Sequence, residues 1–444
     1  MKIVVIGTGY VGLVAGTCLA DMGHEVVCID NDPQKCKLLD RGEVPFFEPG
    51  LAEKIAANRA SGALAFRESL HNEDKAAHIF IIAVGTPPGE NGEPDMRYIH
   101  SAISDISSYV GPDQGVITKS TVPIGTGDKI AALFKETHGV NSPIVMSNPE
   151  FLREGTAVTD FMVPDRVAIG LPDDDPALWE KGKAMAELLY KPLLHKSVPI
   201  LFSSRVTAEI TKYAANTFLA TKVAFINEIA DICESTGADI REVSTGIGLD
   251  ERIGSRFLRA GPGFGGSCFP KDTEALAAIA RQAGAATMIT EAVITSNSGR
   301  KRAMGLRIVN ALNEPSKGKT VALLGLTFKP NTDDMRASPA LDLIDVLEQA
   351  GVNIVAYDPE GMENCKQMRP DIIYAKNIED CVHDADAAVV VTEWGQFQTI
   401  NLEWLNNTMR GNVLVDLRNV FDARKAKFAG LRYVGIGQGT SEVS

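Results

Sequence analysis

The sequence predicts an α/β protein with two doubly wound parallel-sheet domains, joined by a long central helix and a helical middle domain. Three observations support this prediction. Short apolar, β-branched segments alternate with helix-like segments in the N-terminal part of the chain, and the same alternation returns from residue 320 onwards. Between these parts, residues 206–235 contain no proline or glycine and repeat apolar residues at helical spacing. Alternating strands and helices are typical of parallel sheets covered on both faces.

The N-terminal pattern begins with a complete strand–helix–strand unit. Lys2–Ile6 is a β-branched run, followed by a glycine-rich turn and an apolar helix predicted over residues 13–22. Gly23 ends this helix, and Glu25–Ile29 is predicted as the second strand, with Asp30 at its end. Further short apolar strands are predicted at residues 79–84, 115–118, 144–147 and 167–169.

The rest of the chain is predicted from the same signals. After the long helix, further helices are expected near residues 273–283 and 291–312, and strands at residues 320–324, 387–391 and 413–415. Asp358 follows Gly351 by seven residues, as Asp30 follows Gly23, so the second α/β pattern repeats the first. We predict an N-terminal Rossmann-like domain (1–202), a central helical domain containing the long helix (203–298), a C-terminal Rossmann-like domain (299–436) and a flexible tail (437–444).

Composition excludes several function classes. The 444 residues include 44 basic and 57 acidic side chains, a net charge of −13, which is unfavourable for a nucleic-acid binder. No apolar run is long enough for a membrane span, so no membrane partner is predicted. The seven cysteines are odd in number and sparse, and no pair has zinc-ligand spacing. We therefore expect reduced thiols, a cytoplasmic location and no metal site.

The turn Gly7-Thr-Gly9-Tyr-Val-Gly12 predicts a dinucleotide site, because a strand precedes it, a helix follows and an acid ends the next strand. Gly7 permits the tight turn, Gly9 lets the backbone approach a pyrophosphate, and Gly12 lets the helix pack against the strand. Asp30, 18 residues after Gly12, is placed to accept hydrogen bonds from a ribose 2′-OH and to repel a 2′-phosphate. The cofactor predicted is NAD rather than NADP, although a flavin also fits the turn taken alone.

The segment Gly261-Pro-Gly-Phe-Gly-Gly-Ser-Cys268-Phe-Pro-Lys271-Asp272 predicts a catalytic loop. Its glycines allow a ligand to approach closely. Pro270 and the residues after it predict the start of a helix. A thiol just before a helix N-terminus and near a lysine favours the thiolate, so Cys268 is a candidate nucleophile. The alternative is a buried cysteine behind a tight turn.

The combination of NAD with a nucleophilic cysteine narrows the chemistry. Oxidising an alcohol to an aldehyde needs a base and a hydride acceptor. Oxidising the aldehyde further needs a tetrahedral adduct that can expel a second hydride. A thiolate forms such an adduct, and water then cleaves the resulting thioester. The residues therefore predict either a four-electron oxidation of an alcohol to an acid or an aldehyde dehydrogenase.

Seven motifs, in one order over nearly the whole chain, resemble the UDP-glucose/GDP-mannose dehydrogenase family. They are Gly7-Thr-Gly-Tyr-Val-Gly12, Val84-Gly-Thr-Pro87, Lys119-Ser-Thr-Val-Pro123, Asn148-Pro-Glu-Phe-Leu-Arg-Glu-Gly155, Lys212-Tyr-Ala-Ala-Asn216, Gly263-Phe-Gly-Gly-Ser-Cys-Phe-Pro-Lys-Asp272 and Gly325-Leu-Thr-Phe-Lys-Pro330. The resemblance implies a twofold oxidation of a sugar C6 hydroxymethyl to a carboxylate, with two NAD and one water. UDP-glucose is the expected substrate, bound by the C-terminal domain.

The resemblance also implies roles for four residues around the reacting carbon. Cys268 is expected to form the thiohemiacetal and thioester. Lys212 is expected to stabilise oxyanions at the C6 oxygen, assisted by Asn216, and Asp272 to position or deprotonate water and the reacting hydroxyl. Lys212 and Asn216 are four residues apart on the predicted long helix, so they share a face, and an ammonium beside an amide suits a developing alkoxide.

Further contacts are implied by the resemblance alone. Glu150 is expected in acid–base steps, acting through water with Thr121. In a homodimer, Arg252 is expected to reach the neighbouring active site. Further cofactor contacts are expected at Tyr10, Val11, Lys35, Val84, Thr86, Pro87, Ser120, Thr121, Glu154, Lys271 and Arg336. Substrate contacts are expected at Glu150, Phe151, Leu152, Arg153, Glu154, Lys212, Asn216, Arg252, Phe257, Leu258, Gly263, Phe264, Gly265, Phe328, Lys329 and Arg418.

Four alternatives to this assignment differ from it in identifiable features. Enzymes for N-acetylated UDP-hexosamines usually carry His beside the catalytic Cys, where this chain has Ser267. GDP-mannose dehydrogenase shares the chemistry, but Phe269 and the 148–155 segment look more like the UDP-glucose enzymes. A single-step hydroxyacid or polyol dehydrogenase has a similar N-terminal domain but needs neither Cys268 nor a second nucleotide domain. An NAD-sensing regulator that had lost its enzymatic activity would be expected to carry substitutions at the catalytic positions. Cys268, Lys212, Asn216 and Asp272 are all present.

Overall fold

The computed structural model describes residues 1–87, 89, 94–312 and 315–438. The chain divides into two compact units, Met1–Ala215 and Asn216–Ser444, called here the first and second unit. Residues 439–444 of the predicted flexible tail lie outside the described residues. Within the described parts of the chain, no helix combines the length and apolar character needed to cross a bilayer.

The first unit contains one eight-stranded sheet with a strand order of β3-β2-β1-β4-β5-β6-β7-β8. Its first six strands are parallel and follow the 3-2-1-4-5-6 order of dinucleotide-binding folds. The pair β7–β8 is parallel within itself but antiparallel to β6. The strands are β1 Lys2–Ile6, β2 Glu25–Ile29, β3 Leu64–Arg67, β4 Ile79–Ile82, β5 Gly115–Thr118, β6 Ile144–Ser147, β7 Val167–Leu171 and β8 Ile200–Ser204.

Helices cover both faces of this sheet. Along β1, Ile3 and Val5 belong to one buried apolar cluster, whereas Val4 and Ile6 belong to another, as the alternation of side chains along a strand requires. Short 3-10 turns lie at Asn72–Ala76, Ser107–Tyr109 and Gly139–Asn141. The α-helices are α1 Tyr10–Asp21, α2 Pro33–Asp40, α3 Leu51–Ala60, α4 Arg97–Ile106, α5 Thr126–His138, α6 Ala157–Met162, α7 Pro176–Leu189, α8 Lys191–Leu194 and α9 Arg205–Thr236, which continues into the second unit.

The second unit contains a six-stranded parallel sheet with the order β11-β10-β9-β12-β13-β14, again 3-2-1-4-5-6 in relative terms. Its strands are β9 Thr320–Leu324, β10 Asn353–Tyr357, β11 Ile373–Tyr374, β12 Ala387–Val390, β13 Val413–Asp416 and β14 Arg432–Val434. Its helices are α10 Ile240–Gly248, α11 Phe269–Gln282, α12 Met288–Ala311, α13 Pro339–Gln349, α14 Met362–Met368, α15 Ile378–Val382, α16 Gly395–Gln398, α17 Leu402–Thr408 and α18 Ala423–Phe428.

The predicted fold class is confirmed: the chain has two Rossmann-like sheets and a long helix that connects them in sequence. One detail differs, because the strand expected at 167–169 is antiparallel to β6 rather than parallel. The only helix between these strands is the six-residue α6, which rises only about 9 Å. After this short helix the chain turns back, and β7 begins at the end of the sheet at which β6 stops. The division into domains at 1–202, 203–298 and 299–436 stays a prediction.

Candidate active site

The turn between β1 and α1 has the backbone geometry of a pyrophosphate site. Gly7 has a φ of +96°, and a Cβ there would lie 2.9 Å from the carbonyl oxygen of Ala83. A Cβ on Gly12 would collide with the carbonyl oxygen of Gly7. At Gly9, in contrast, a Cβ would meet no atom within 4 Å in the described chain. Gly9 is the N-cap residue of α1, so no capping side chain bonds to the first amides of this helix. The open space and the helix N-terminus suit a phosphate group.

Asp30 lies at the end of β2, beside this turn, and is 7% exposed. Its Oδ2 accepts hydrogen bonds from the Thr8 amide (2.8 Å), the Thr8 hydroxyl (2.6 Å) and the Lys35 ammonium (2.9 Å). Burial acts to raise the pKa of Asp30, but these donors outweigh it and hold the pKa below its usual value. An ionised, oriented carboxylate at this position fits the ribose hydroxyls of NAD and disfavours a 2′-phosphate.

The structure brings together two loops predicted to line the cofactor. The Ser120 hydroxyl donates to the Val84 carbonyl at 2.6 Å, and the Thr86 hydroxyl donates to the Thr121 carbonyl at 2.7 Å. The Tyr213 hydroxyl, on α9, donates to the Val122 carbonyl at 3.0 Å. These bonds hold the loop after β5 between the loop after β4 and α9. Pro87 lies directly after Thr86, in the loop after β4.

Glu48 is a buried carboxylate that the sequence analysis missed. It accepts a hydrogen bond from the Tyr10 hydroxyl, and it also accepts from the Gly155 amide at 2.6 Å and the Ala157 amide at 2.7 Å. Burial, followed by the bond to Glu48, raises the pKa of Tyr10 far above its usual range, so the hydroxyl remains a donor. Glu48 thereby ties the first turn of α1 to the start of α6 and to neighbouring Glu154. Nothing in its surrounding Phe-Phe-Glu-Pro-Gly turn indicates this role.

Lys212 and Glu150 form a buried ion pair in the first unit. The Lys212 Nζ lies 2.8 Å from Glu150 Oε1, and the two side chains are 3% and 5% exposed. The Leu152 amide donates to Glu150 Oε2 at 2.6 Å. Burial acts to raise the pKa of Glu150, but the charge and hydrogen bond of Lys212 lower it below its usual value. Each of these two buried charges is therefore stabilised by the other. This pairing was not predicted from the sequence.

A second buried lysine lies near this pair. The Lys119 Nζ donates to Asn148 Oδ1 at 3.0 Å, and the Tyr190 hydroxyl donates to the same oxygen at 2.5 Å. The pKa of Lys119 is lowered to about 8, mainly by burial; the charge of Glu150 acts to raise this pKa and that of Lys212 to lower it. Lys119 and Asn148 both lie in motifs quoted above, but no role was predicted for either residue.

Cys268 in the second unit lies where the sequence predicted, as the N-terminal cap of α11. The Asp272 amide donates to the Cys268 carbonyl at 2.8 Å, and the Ser267 hydroxyl lies 3.5 Å from Sγ. The preceding glycines are required by close packing. A Cβ on Gly265 would collide with the Ala337 carbonyl, and one on Gly266 would lie 2.7 Å from the ring of Phe328.

Asp272 and Asn216 are in direct contact. The Asn216 amide donates to Asp272 Oδ2 at 2.6 Å, and Lys271 Nζ lies 3.4 Å from Oδ1. Asp272 is 1% exposed, so this carboxylate is held in one position one helical turn after Cys268. On the continuous helix α9, Asn216 follows Lys212 by four residues, so the two side chains leave the same face.

Two of the aromatic residues predicted for the substrate, Phe257 and Phe264, each pack against Phe269. The rings of Phe264 and Phe269 lie 5.8 Å apart, and those of Phe257 and Phe269 lie 6.0 Å apart. Asn297 holds the loop by accepting from the Phe264 amide (2.8 Å) and donating to its carbonyl (3.0 Å), next to Gly263. The Leu258 side chain is buried in the core, so a ligand would meet its backbone rather than its side chain.

The cationic residues predicted for the ligands differ in exposure. Arg418 is 16% exposed and pairs with Glu393 at 3.0 Å. Arg336 and Arg252 are 64% and 89% exposed, and each pairs with an aspartate two residues before it. The Arg252 pair lies at the surface, and such pairs contribute little stability, so the Arg252 guanidinium can exchange partners at little cost. Lys329 lies over the ring of Phe328 at 5.2 Å, and Arg153 is half-exposed beside Asp160.

Three family models match the chain in order. The NAD-binding domain of the UDP-glucose/GDP-mannose dehydrogenase family matches residues 1–194, the central domain of the same family matches residues 206–299, and its UDP-binding domain matches residues 322–423. The first match agrees with the geometry of the glycine turn and Asp30, and NAD is the cofactor of this chain.

Curated relatives and a solved structure agree with these models. UDP-glucose 6-dehydrogenase of Rhizobium meliloti is 46% identical over 99% of this chain and 100% of its own length. UDP-glucose 6-dehydrogenase TuaD of Bacillus subtilis is 41% identical over 98% and 93%. A solved UDP-glucose dehydrogenase from Pyrobaculum islandicum has a TM-score of 0.89 and 35% identity, and the match covers 99% of this chain and 98% of that one. The chain belongs to the UDP-glucose/GDP-mannose dehydrogenase family.

Proposed function

We propose that this chain oxidises the C6 hydroxymethyl of UDP-glucose to the carboxylate, giving UDP-glucuronate in a four-electron reaction. The observation that carries this proposal is the position of Cys268 at the start of α11, with Asp272 buried one turn later against Asn216. The names of the relatives and the match of residues 322–423 to a UDP-binding domain support the substrate. Bound NAD supplies the hydride acceptor for both oxidations.

The first oxidation needs a base and a stabilised oxygen. The C6 hydroxyl gives up its proton to a carboxylate, for which Asp272 is our candidate, or through water to Glu150 with Thr121. The Lys212 ammonium stabilises the alkoxide, assisted by the Asn216 amide. A buried cation is effective here because its field is weakly screened and it is already oriented. Loss of hydride from C6 then leaves the aldehyde.

The second oxidation proceeds through Cys268. Its thiolate forms a bond to the aldehyde carbon, and the electron pair of the carbonyl moves to oxygen, beside Lys212. Loss of hydride from this thiohemiacetal gives a thioester. Water, deprotonated by Asp272, adds to the thioester carbon, and the carbon–sulfur bond breaks to return the thiolate and release the carboxylate. Because the reaction needs a reduced thiol, we place the chain in the cytoplasm.

Substrate specificity is tested by counting NADH per sugar. With limiting UDP-glucose and excess NAD, we expect two NADH for each sugar nucleotide consumed. A parallel reaction with GDP-mannose should give none. One NADH per sugar would contradict the role of Cys268. Two NADH from GDP-mannose, with none from UDP-glucose, would keep the mechanism but reassign the substrate.

We also propose a homodimer in which Arg252 completes the neighbouring site. Phe218, Phe225 and Ile232 recur every seven residues on α9 and are 66%, 49% and 51% exposed, an apolar stripe that suits a second copy. Arg252 is 89% exposed and so available to a partner.

Mixing two inactive variants tests this arrangement. Arg252→Ala and Cys268→Ser should each be inactive. If they are unfolded and refolded together, half of the dimers should be mixed, and each mixed dimer should have one complete site. We therefore expect recovery of about a quarter of wild-type activity. No recovery from a mixture shown to contain mixed dimers would contradict the role of Arg252 across the interface.

A further inference from the structure

The first unit contains a small cavity between the loop after β5, the segment after β6 and α9. Its volume is about 10 Å³ for the centre of a water molecule. Its lining includes four polar residues, Thr118, Ser147, Glu209 and Lys212, and each of them is at most 4% exposed. A cavity of this size with two to four polar partners can hold one water molecule.

One hydroxyl on this cavity lacks a partner. Thr118 Oγ1 is buried and makes no hydrogen bond within the described part of the chain. A buried hydroxyl without a partner carries the full cost of its lost hydration. Because Thr118 also lines the cavity, a hydrogen-bonding occupant of the cavity would remove this cost.

Glu209 also lines the cavity, and three hydrogen bonds hold its carboxylate. Its Oε2 accepts from the Gly125 amide at 2.6 Å, and its Oε1 accepts from the Gly127 amide at 2.8 Å and the Ser147 hydroxyl at 2.9 Å. The first two donors are the N-terminal amides of α5. Glu209 therefore fixes the loop after β5 to α9, three residues before Lys212 and on the same face of that helix.

We propose that the cavity is a binding site for one ordered water molecule that joins the Thr118 hydroxyl to the Lys212 ammonium. In this arrangement Glu209 is a positioning residue that orients the Lys212 ammonium and keeps it charged. The inference deepens the proposed function, because it rests on the role of Lys212 as the cation that stabilises the C6 oxygen. It adds two residues, Thr118 and Glu209, that act through Lys212 rather than on the substrate.

The neighbouring charges agree with this role. Lys212 faces the Glu150 carboxylate, which attracts its positive charge, and the Lys119 ammonium, which repels it. A carboxylate at Glu209 opposes that effect. Glu209 itself faces Asp128 and Arg205, which pair with each other at 2.6 Å. Burial is the main cause that raises the pKa of Glu209, and Asp128 adds to it.

The Thr118→Val variant tests the water molecule. It replaces the hydroxyl with a methyl group of similar volume. If the hydroxyl binds water, the variant should lower the melting temperature and lower kcat about tenfold with little change in KM, because Lys212 loses its orientation. Thr17→Val is the matched control, since Thr17 Oγ1 is also buried without a partner in the described chain but lies away from the cavity on α1. Removing that hydroxyl should leave kcat unchanged and should not lower the melting temperature.

The Glu209→Gln variant tests the electrostatic part. Removing this negative charge lowers the pKa of Lys212, so the alkaline limb of the kcat–pH profile should move to lower pH by about one unit. A purely structural role for Glu209 would lower kcat without moving this limb. Asp128→Asn, which removes a carboxylate that is half-exposed and paired with Arg205, should leave the limb in place.

The outcomes separate this inference from the proposed function. Two NADH per UDP-glucose from the wild-type enzyme support the reaction whatever the variants do. If Thr118→Val raises the melting temperature and leaves kcat unchanged, the cavity is dry and the inference is wrong. An unmoved alkaline limb in Glu209→Gln overturns the role of Glu209. If that variant does not fold, the Thr118→Val result and a high-resolution map with or without a density peak beside Thr118 Oγ1 decide the question.

Discussion

Replacing Cys268 with serine should lower NADH formation from UDP-glucose by at least about a thousandfold. A serine hydroxyl is protonated at neutral pH and is a much weaker nucleophile than a cysteine thiolate. The tetrahedral adduct that expels the second hydride should therefore not form. The measurement is steady-state NADH formation, together with mass spectrometry of wild-type enzyme quenched during turnover, which should detect a sugar thioester on Cys268 alone.

The accessibility of the cysteines supplies a control for this experiment. Cys268 is partly exposed, whereas the other six cysteines are buried. Iodoacetamide should therefore alkylate one thiol per chain in the folded enzyme, with loss of activity, and saturating UDP-glucose should slow the reaction. The Cys268→Ser variant should keep the wild-type melting temperature and resist alkylation. A variant that still produces two NADH per sugar would rule out the thioester route.

Replacing Lys212 with methionine should impair both stability and catalysis. The Glu150 carboxylate would be left buried without its cation, which in other proteins costs about 3–5 kcal/mol. Catalysis loses the charge that stabilises the C6 alkoxide, so kcat should fall by at least about a hundredfold. Because Lys212 holds the pKa of Glu150 below its usual value, the variant should also bind a proton on Glu150 at higher pH than the wild type. Urea unfolding curves and kcat values measure the two effects.

A double variant separates the two effects. Lys212→Met combined with Glu150→Gln removes both charges, so most of the lost stability should return, while activity should stay low. Arg97→Met is the matched control for an exposed pair, because Arg97 bonds Asp95 at the surface and is 86% exposed. Its effect on unfolding should be small. A double variant as unstable as the sum of the single variants would show that the ion pair is not the cause.

Much of the fold followed from local patterns. The bounds predicted for β1, β2, β5, β6 and β9 agree with the structure to the residue, and the long helix differs by one residue at each end. In these elements, apolar residues recur with a regular period and glycine or polar residues mark the ends. Both signals depend only on residues that are close together in the sequence. The strands that were missed, β3, β8, β11 and β14, lie at or near the sheet edges and are short or mixed in polarity. Their stability comes from pairing with a neighbour, which leaves little trace in their own composition.

The structure of the cofactor turn agrees with what its sequence motif predicted. Gly7, Gly9 and Gly12 have the three different environments that the spacing implied, and Asp30 lies beside them. This agreement arises because the whole motif occupies one strand–helix–strand unit, so sequence separation and spatial distance nearly coincide. The same reasoning placed Cys268 at the start of a helix.

By itself, the sequence determined the two Rossmann-like domains, the long helix, the NAD turn and the position of Cys268, because each depends on residues close together in the chain. The tertiary structure alone decided which distant side chains meet: Lys212 with Glu150, Lys119 with Asn148, and Glu48 with the start of α6. These are buried polar groups, and each must find a partner across tens of residues because water is excluded from it. No local periodicity encodes such a partner, since it is set by how whole elements pack.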